Sequence, residues 1–453
     1  MDTRRAFLSS AGLGFGAMAL RALGAAAPRR AKARRVLFLY MAGGPSHLDL
    51  FDPKPRLAAM DGKPMPESFT KGKPIAQLQG ARLTCLGPRF EFARHGRSGQ
   101  PISSILPWTA KLADKLAVIR SMRTDQINHD PAHTVMNTGT GVPGKPSLGA
   151  WVSYGLGRLT DDLPAFVVLT SEGGRSPQPI STRQWGAGFL PGHHQGVLFR
   201  SKGDPALYLR RPAGTTEQQQ RDIVGAVGAL DRLRLAETQD AETASRIAQY
   251  ETAFRMQTSV PGLMDVSKEP ARVLERYGTK GGDGSFAANC LLARRLLERG
   301  TRFVQLYHRG WDHHGDLVRY MKTSCGLTDK PTWALLTDLE ERGLLADTLV
   351  VWGGEFGRTP MFQGKGKEAG RDHHIRGFTM WLAGAGIKGG TSHGATDELG
   401  YEAVEDVVDV RDLHATMLHL LGLDHERLAV RHQGLDQRLT GVEKADVVRG
   451  VLA

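Results

Sequence analysis

The sequence of 453 residues contains only three cysteines, Cys85, Cys290 and Cys325, with no Cys-x-x-Cys pair. That excludes a disulfide-stapled scaffold and leaves a thiolate zinc or iron–sulfur site without ligands. No Gly-x-Gly-x-x-Gly follows the first strand-like run, so a dinucleotide fingerprint is missing. The Gly12, Gly14 and Gly16 series belongs to the N-terminal address described below. No stretch reaches the run of about 20 apolar residues that a stable membrane span needs. Internal repeats and long low-complexity tracts are also missing. Aromatic residues are 7% of the chain and do not interleave with a basic stripe, which argues against nucleic acid as the partner of a chain with net charge +12. With 40% hydrophobic and 23% charged residues, global disorder is excluded and a sizeable core is possible.

What is present begins with an address. Arg4-Arg5 is followed by Phe7-Leu8, a thin Gly- and Ala-rich run to Leu20, and small residues at 24–27. This reads as a twin-arginine export signal over residues 1–27, with a basic linker over 28–35. The expected location is periplasmic or extracellular. Twin-arginine export carries folded proteins, which suits a metal loaded before export. A basic surface fits an anionic small molecule or an anionic envelope glycan, and a partner in an exported complex is a further expectation.

From residue 36 the chain alternates strand-like and helix-like segments. Val36–Met41 is a continuous apolar run that stops at Gly43-Gly44-Pro45. Further strands are expected at 116–120, 165–170, 301–307, 348–352 and 377–383. Helices are expected at 105–116, 286–299, 331–342 and 411–421, with a short one ending near Thr138-Gly139. Such alternation predicts an α/β fold with a doubly wound, mainly parallel sheet and helices on both faces. The polar segment 215–258 reads as one or two long surface helices with a cap at Thr215-Thr216-Glu217, inside a helical insertion at about 215–276 of a single domain spanning 36–453.

In open α/β sheets, ligands bind beyond the carboxyl ends of the strands. Chemistry-bearing residues collect there: Ser46, His47, Asp49 and Asp52; His308, Asp312, His313 and His314; Glu355 and Arg358; Arg371, Asp372, His373 and His374; then His393, Asp397 and Glu398. The 16 histidines include three adjacent pairs, at 193–194, 313–314 and 373–374. Chance placement gives about half a pair. Two of the pairs follow an aspartate, and imidazole with carboxylate suits zinc, manganese or iron. Neighbouring histidines on a loop rarely bind the same ion, so one of each pair is expected to ligate and the other to support. Glu355, in a glycine-rich turn, reads as a metal ligand or general base, or else as a surface partner of Arg358. His129-Asp130-Pro131-Ala132-His133 opens a helix, where Asp130 serves equally well as a cap. A helix N-terminus facing the site, with Arg358 and Arg371 nearby, would favour an anion.

Four segments carry a resemblance: 41–55 (MAGGPSHLDLFDPKP), Trp311-Asp312-His313-His314, 353–360 (GGEFGRTP) and 412–424 (DLHATMLHLLGLD). Together they resemble the exported bacterial family called domain of unknown function 1501. That family looks like a branch of the alkaline-phosphatase and sulfatase superfamily. The resemblance spans essentially the whole chain after the signal. It implies an alkaline-phosphatase-like fold with metal subsites at the strand ends and hydrolysis of phosphate or sulfate esters. Asp312, His314 and His373 or His374 are similar to one metal subsite. Glu355 falls where the superfamily has the Asp of an Asp-His pair, with Phe356 in place of the His. His129 stands where the superfamily has its hydroxyl or thiol nucleophile, and His133 where it has Arg. No carboxylate occupies the first-strand position near Gly43 and Gly44, for which His47, Asp49 or Asp52 would compensate.

The expected metal set is therefore Asp312, His314, His373 and His374. His129, His133 and Glu355 are the expected catalytic groups, and Ser46, His47, Arg358 and Arg371 the expected substrate contacts. Two functions follow. One is a metal-dependent hydrolase using activated water. The other is a non-catalytic relative that binds an anionic ligand or a protein partner.

Overall fold

The computed structural model describes residues 31–174, 177–206, 209, 211, 214–364 and 368–453. The signal assigned to residues 1–27 lies outside them. Among the described residues no helix is long and apolar enough to cross a membrane.

Strand β1 (Arg35–Met41) is apolar throughout from Val36 because both of its faces are covered. Side chains alternate across a strand. Leu37, Leu39 and Met41 enter one core, and Val36, Phe38 and Tyr40 enter the other. Eight further strands complete the central sheet of the described residues: β2 (Ala117–Arg123), β3 (Phe166–Thr170), β4 (Val197–Phe199), β5 (Phe303–His308), β6 (Thr348–Gly353), β7 (Phe378–Gly384), β8 (Thr391–His393) and β9 (Val408–Asp409). The order is β8-β2-β7-β6-β1-β5-β3-β4, with β9 also pairing β2. Every pair is parallel except those of β7, which runs antiparallel to β6 and to β2. Two reversals restore direction, so β2 points the same way as β1.

Helices cover both faces. α1 (His129–Thr138) follows β2, and α2 (Leu148–Leu156) packs Trp151 and Val152 into the core that holds Phe38. α3 (Glu217–Thr238) and α4 (Ala241–Met264) form the long polar segment. Thr216 caps α3 through a reciprocal bond with Gln219. α3 buries none of its residues, whereas α4 buries Met256, Val260 and Leu263 in the core that holds Leu39. α5 (Phe286–Glu298) and α6 (Leu317–Glu341) fill that same core, and α7 (Val410–Leu420) fills the opposite one. Each buried Leu or Val contributes about 1.5–3 kcal/mol.

Two expectations change here. Pro331 lies inside α6 and does not start a helix there. Pro331 is itself buried, and the packing of the helix outweighs the lost backbone hydrogen bond. The segment expected as a helix at 105–116 holds a 3-10 turn at Thr109–Lys115. Its start is fixed by Asp329, which accepts from the backbone of Trp108 (2.8 Å) and Thr109 (2.7 Å). All three cysteines are buried and free.

Candidate metal centre

β5, β1 and β6 are neighbours, so their carboxyl ends open on one spot. Beyond β1 the chain turns through Gly43 at φ +119°. A Cβ there would lie 2.5 Å from the carbonyl carbon of Trp311, so only glycine lets the Asp312 backbone come this close. Beyond β5 comes Asp312 and beyond β6 comes Glu355. A two-stranded ribbon pairs Gly357–Arg358 with His373–His374, which brings His373 across. Asn128 occupies the cap position of α1, and His129 and His133, one turn apart, share a face. Asp130 pairs with Arg183 at the surface.

The side chains converge on Asp312. Its Oδ1 lies 2.9 Å from His314 Nε2, 3.2 Å from His129 Nε2 and 3.5 Å from His373 Nε2. His314 Nε2 and His373 Nε2 are 2.9 Å apart. Each ring has an acceptor at its other nitrogen. His314 Nδ1 meets Gln363 Oε1 at 2.6 Å, His373 Nδ1 meets the Ile127 carbonyl at 2.9 Å, and His129 Nδ1 meets Glu355 Oε1 at 2.6 Å. With the proton donated at Nδ1, each neutral ring turns its Nε2 lone pair toward the carboxylate. His129 Nε2 is buried and has no hydrogen-bond donor. His129, Asp312, His314 and His373 bring their ligand atoms within 4.8 Å of one another. Three lone pairs aimed at one carboxylate repel unless a cation lies among them. These donors fit a divalent transition metal, with their second nitrogens already oriented.

Asp312 is held further. Arg358, fully buried, donates to its Oδ1 at 2.6 Å, and Gln178 Nε2 donates to Oδ2 at 2.8 Å. Burial pushes the Asp312 carboxyl up, but the bonds that His129, His314 and His373 would give it with a proton on Nε2, together with the Arg358 charge, outweigh it. The group sits well below the usual carboxylate range. Burial takes His373 down to about 4. Burial also lowers His129, yet bonds to Asp312 and Glu355 outweigh it and the net direction is upward. Phe356 closes one side, its ring 4.9 Å from His129 and 4.7 Å from His373, with Ile127, Ala132 and Ile375 behind it. The opposite side is open, with the His314 side chain 25% exposed.

Glu355 lies behind His129 and is wholly buried. Its Oε1 also accepts from Gly43 N (2.9 Å), and its Oε2 lies 3.6 Å from His133 Nδ1. His133 Nδ1 is 2.9 Å from the Tyr40 hydroxyl.

The other expected residues, Arg358 excepted, sit apart from the donor set. His374 Nε2 faces the Tyr401 carbonyl, and burial takes it down to about 3, so His373 is the inward member of its pair. His313 bonds the Gly310 carbonyl at 3.0 Å, leaving His314 inward. Arg371 is fully buried, with bonds to Asp49 (2.8 Å), Leu86 O and Gly87 O. Arg358 has its remaining donors on the carbonyls of Gly43, Gly44 and Arg371. Ser46 donates to Asp49 at 2.6 Å and His47 Nε2 meets the Gly400 carbonyl at 3.0 Å. These four were expected to touch a ligand, but burial turns them inward as supports of the loops. Asp49 pairs with Arg371, and Asp52 with Lys54 and Thr396, so neither supplies the missing first-strand carboxylate. Glu355 stands against Gly43 N in that place. Asp397 accepts from the backbone of Leu399, Tyr401 and Glu402, and Glu398 pairs with Arg56.

Sequence reasoning missed Gln178, Gln363 and Gln77. Gln77 Nε2 lies 3.5 Å from His314 Nε2, on a loop whose backbone donates to Asp372 at 2.7 and 2.9 Å. Lone glutamines in loops carry no pattern that would have flagged them.

A family model described as "Protein of unknown function (DUF1501)" matches residues 33–452. No curated protein matches the sequence. Among solved structures, the fold is similar to the lipoteichoic acid synthase LtaP from Listeria monocytogenes, at 10% identity and TM-score 0.37, covering 94% of this chain and 80% of that one. The PsFucS1 sulfatase from Pseudoalteromonas sp. is similar at 13% identity and TM-score 0.34, covering 87% and 68%. The alkaline phosphatase from the Antarctic bacterium TAB5 follows at 10% identity and TM-score 0.35, covering 87% and 100%.

Proposed function

The chain belongs to the DUF1501 family, and from that premise we propose that it is an exported, metal-dependent hydrolase of phosphate or sulfate esters. The observation that carries the metal half is the convergence of three Nε2 atoms on Asp312, each with its Nδ1 already paired. His129, Asp312, His314 and His373 would hold the ion, so His129 moves from the catalytic set to the ligand set. A divalent ion bound there would polarise an ester oxygen and make a water more acidic. The chain's own groups do the rest. Arg358 and Gln178 fix both Asp312 oxygens. Phe356 and Ile127 keep water from the back of the site. Gln77, on the open side, offers amide donors to the oxygens of a bound ester.

The donor set also narrows the metal. Four protein donors would complete the coordination that zinc prefers, whereas manganese or iron, which accept six, would leave room for water and ester. Turnover with manganese or iron and none with zinc is the expected pattern. The assay is hydrolysis of 4-nitrophenyl phosphate, bis(4-nitrophenyl) phosphate and 4-nitrophenyl sulfate by the metal-loaded protein beside Asp312→Asn. Hydrolysis equal in the two would remove the proposal. Within the histidine pair, His373→Ala is expected to weaken metal binding at least about 10-fold, the scale at which even an outer-shell partner matters. His374→Ala should leave metal affinity intact. Equal losses in a chelator-competition titration would contradict the assignment.

One observation favours a second reading. No hydroxyl or thiol lies in the donor set, and Arg358 and Arg371 are fully buried and bonded within the chain. A non-catalytic protein that binds metal and an anionic envelope ligand would look the same. Metal binding without turnover on any of the three esters would support it.

A further inference from the structure

Glu355 is 0% exposed and lies on the side of the His129 ring opposite Asp312. His129 stands between two carboxylates. Its Nδ1 is 2.6 Å from Glu355 Oε1, and its Nε2 is 3.2 Å from Asp312 Oδ1. A general base must come within hydrogen-bond reach of the proton it removes. Glu355 is behind the imidazole with no exposed surface, so it reaches no substrate. A metal ligand needs a free lone pair directed at the ion. Glu355 Oε1 already accepts from His129 Nδ1 and from Gly43 N, and Oε2 faces Gly43 N at 3.2 Å and His133 Nδ1 at 3.6 Å. Both oxygens are thus engaged by groups of the chain itself, although His129, His133 and Glu355 bring ligand atoms within 4.8 Å of one another.

The surroundings explain why a buried carboxylate is tolerated there. His133 lies one turn along α1, and its Nδ1 sits between the Tyr40 hydroxyl at 2.9 Å and Glu355 Oε2. The main chain of His133 is fixed in turn, because its carbonyl accepts from Asn137 Nδ2 at 2.7 Å. Asn137 Oδ1 accepts from Gln305 at 2.7 Å and Tyr307 at 2.9 Å. Hydrogen bonds therefore run from Gln305 and Tyr307 through Asn137 to His133, whose Nδ1 bonds Tyr40 and lies beside Glu355. A buried polar network of this kind is stable when its members are paired, and it holds each member in one geometry.

We infer that Glu355 is a positioning residue, neither ligand nor base, which fixes the proton of His129 on Nδ1 and so presents Nε2 to the metal, with the Gly43 amide and the neighbouring His133 holding Glu355 in place. This rests on the proposed metal centre and deepens it. Outer-shell partners of this type change metal affinity by about 10–100-fold when removed.

The test uses the whole protein titrated with cobalt(II) and with zinc alone, under chelator competition. In Glu355→Gln, which keeps the shape and loses the charge, affinity should fall about 10–100-fold. The cobalt absorption bands should keep their positions, because the ligands are unchanged. A purely structural role would move neither reading. His133→Gln should fall in the same direction by less. Parent-like affinity in Glu355→Gln would overturn the inference and leave the metal centre standing. Displaced cobalt bands would overturn it by showing that Glu355 is a ligand. A parent protein that binds neither ion would overturn both. Should Glu355→Gln not fold, X-ray absorption of the zinc-loaded parent decides. Three imidazoles and one carboxylate are expected, and two carboxylates would contradict the inference.

Discussion

Replacing Arg371 by Met is expected to destabilise the protein by about 3–5 kcal/mol, because it leaves Asp49 charged and unpaired in the interior. Both side chains are fully buried, with Arg371 Nε 2.8 Å from Asp49 Oδ2. Burial pushes the Asp49 carboxyl up, but the Arg371 charge and hydrogen bonds outweigh it and hold it below its ordinary value. The sign of the pH dependence follows. A carboxylate whose folded pKa is depressed stabilises the protein above its unfolded pKa. That contribution is lost as pH falls through the folded value. In the variant the burial that raises Asp49 is no longer offset, so protonation relieves its unpaired charge and the deficit against the parent should shrink as pH falls into the acid range. Urea unfolding at several pH values measures both. The double variant Asp49→Leu/Arg371→Met should recover much of the loss, as hydrophobic replacement of a buried pair often does. A loss under 1 kcal/mol for Arg371→Met would contradict the structural role and return Arg371 to the candidates for ligand binding.

The second large effect comes from a residue that carries no chemistry. Gly43→Ala would place a Cβ against the backbone of Trp311 and Asp312, at φ +119°, where an L-residue is strained. The strain alone costs about 1–3 kcal/mol. The larger consequence is displacement of Asp312, around which the three histidines are arranged. A misplacement of about 1 Å in a positioned site costs on the order of 100-fold. Metal affinity should fall by that order while the circular dichroism spectrum stays that of the parent. Unchanged affinity would mean that Asp312 does not need this approach of β1.

Where sequence pattern and structure agree, the cause is solvent exclusion. The run Val36–Met41 has no polar position because both faces of β1 are covered, and this is visible in the sequence. The antiparallel direction of β7 is not visible, because Phe378–Gly384 is as apolar as a parallel strand would be. Pro331 misled because a local penalty was set against packing that only the fold reveals. In the site, Asp312, His314 and His373 were legible as histidines following aspartates at strand ends. Which histidine of each pair turns inward was not. The choice is made by the Gly310 carbonyl for His313 and the Tyr401 carbonyl for His374, both backbone groups without a sequence signature. Arg358 and Arg371 read as anion contacts because arginines near histidines suggest them, yet their burial makes them braces. His129 was legible as a member of the site, but its pairing with Glu355 was not, because the two are 226 positions apart in sequence.

The most direct test of the central claim is the metal content of the folded protein beside a His314→Ala/His373→Ala variant. Near one equivalent of transition metal per chain in the parent, and none in a variant with the same circular dichroism spectrum, is the predicted result. No metal in the parent after incubation with zinc, manganese or iron(II) would contradict the claim. The convergence of His129, His314 and His373 on Asp312 would then be a hydrogen-bonded cluster around a carboxylate.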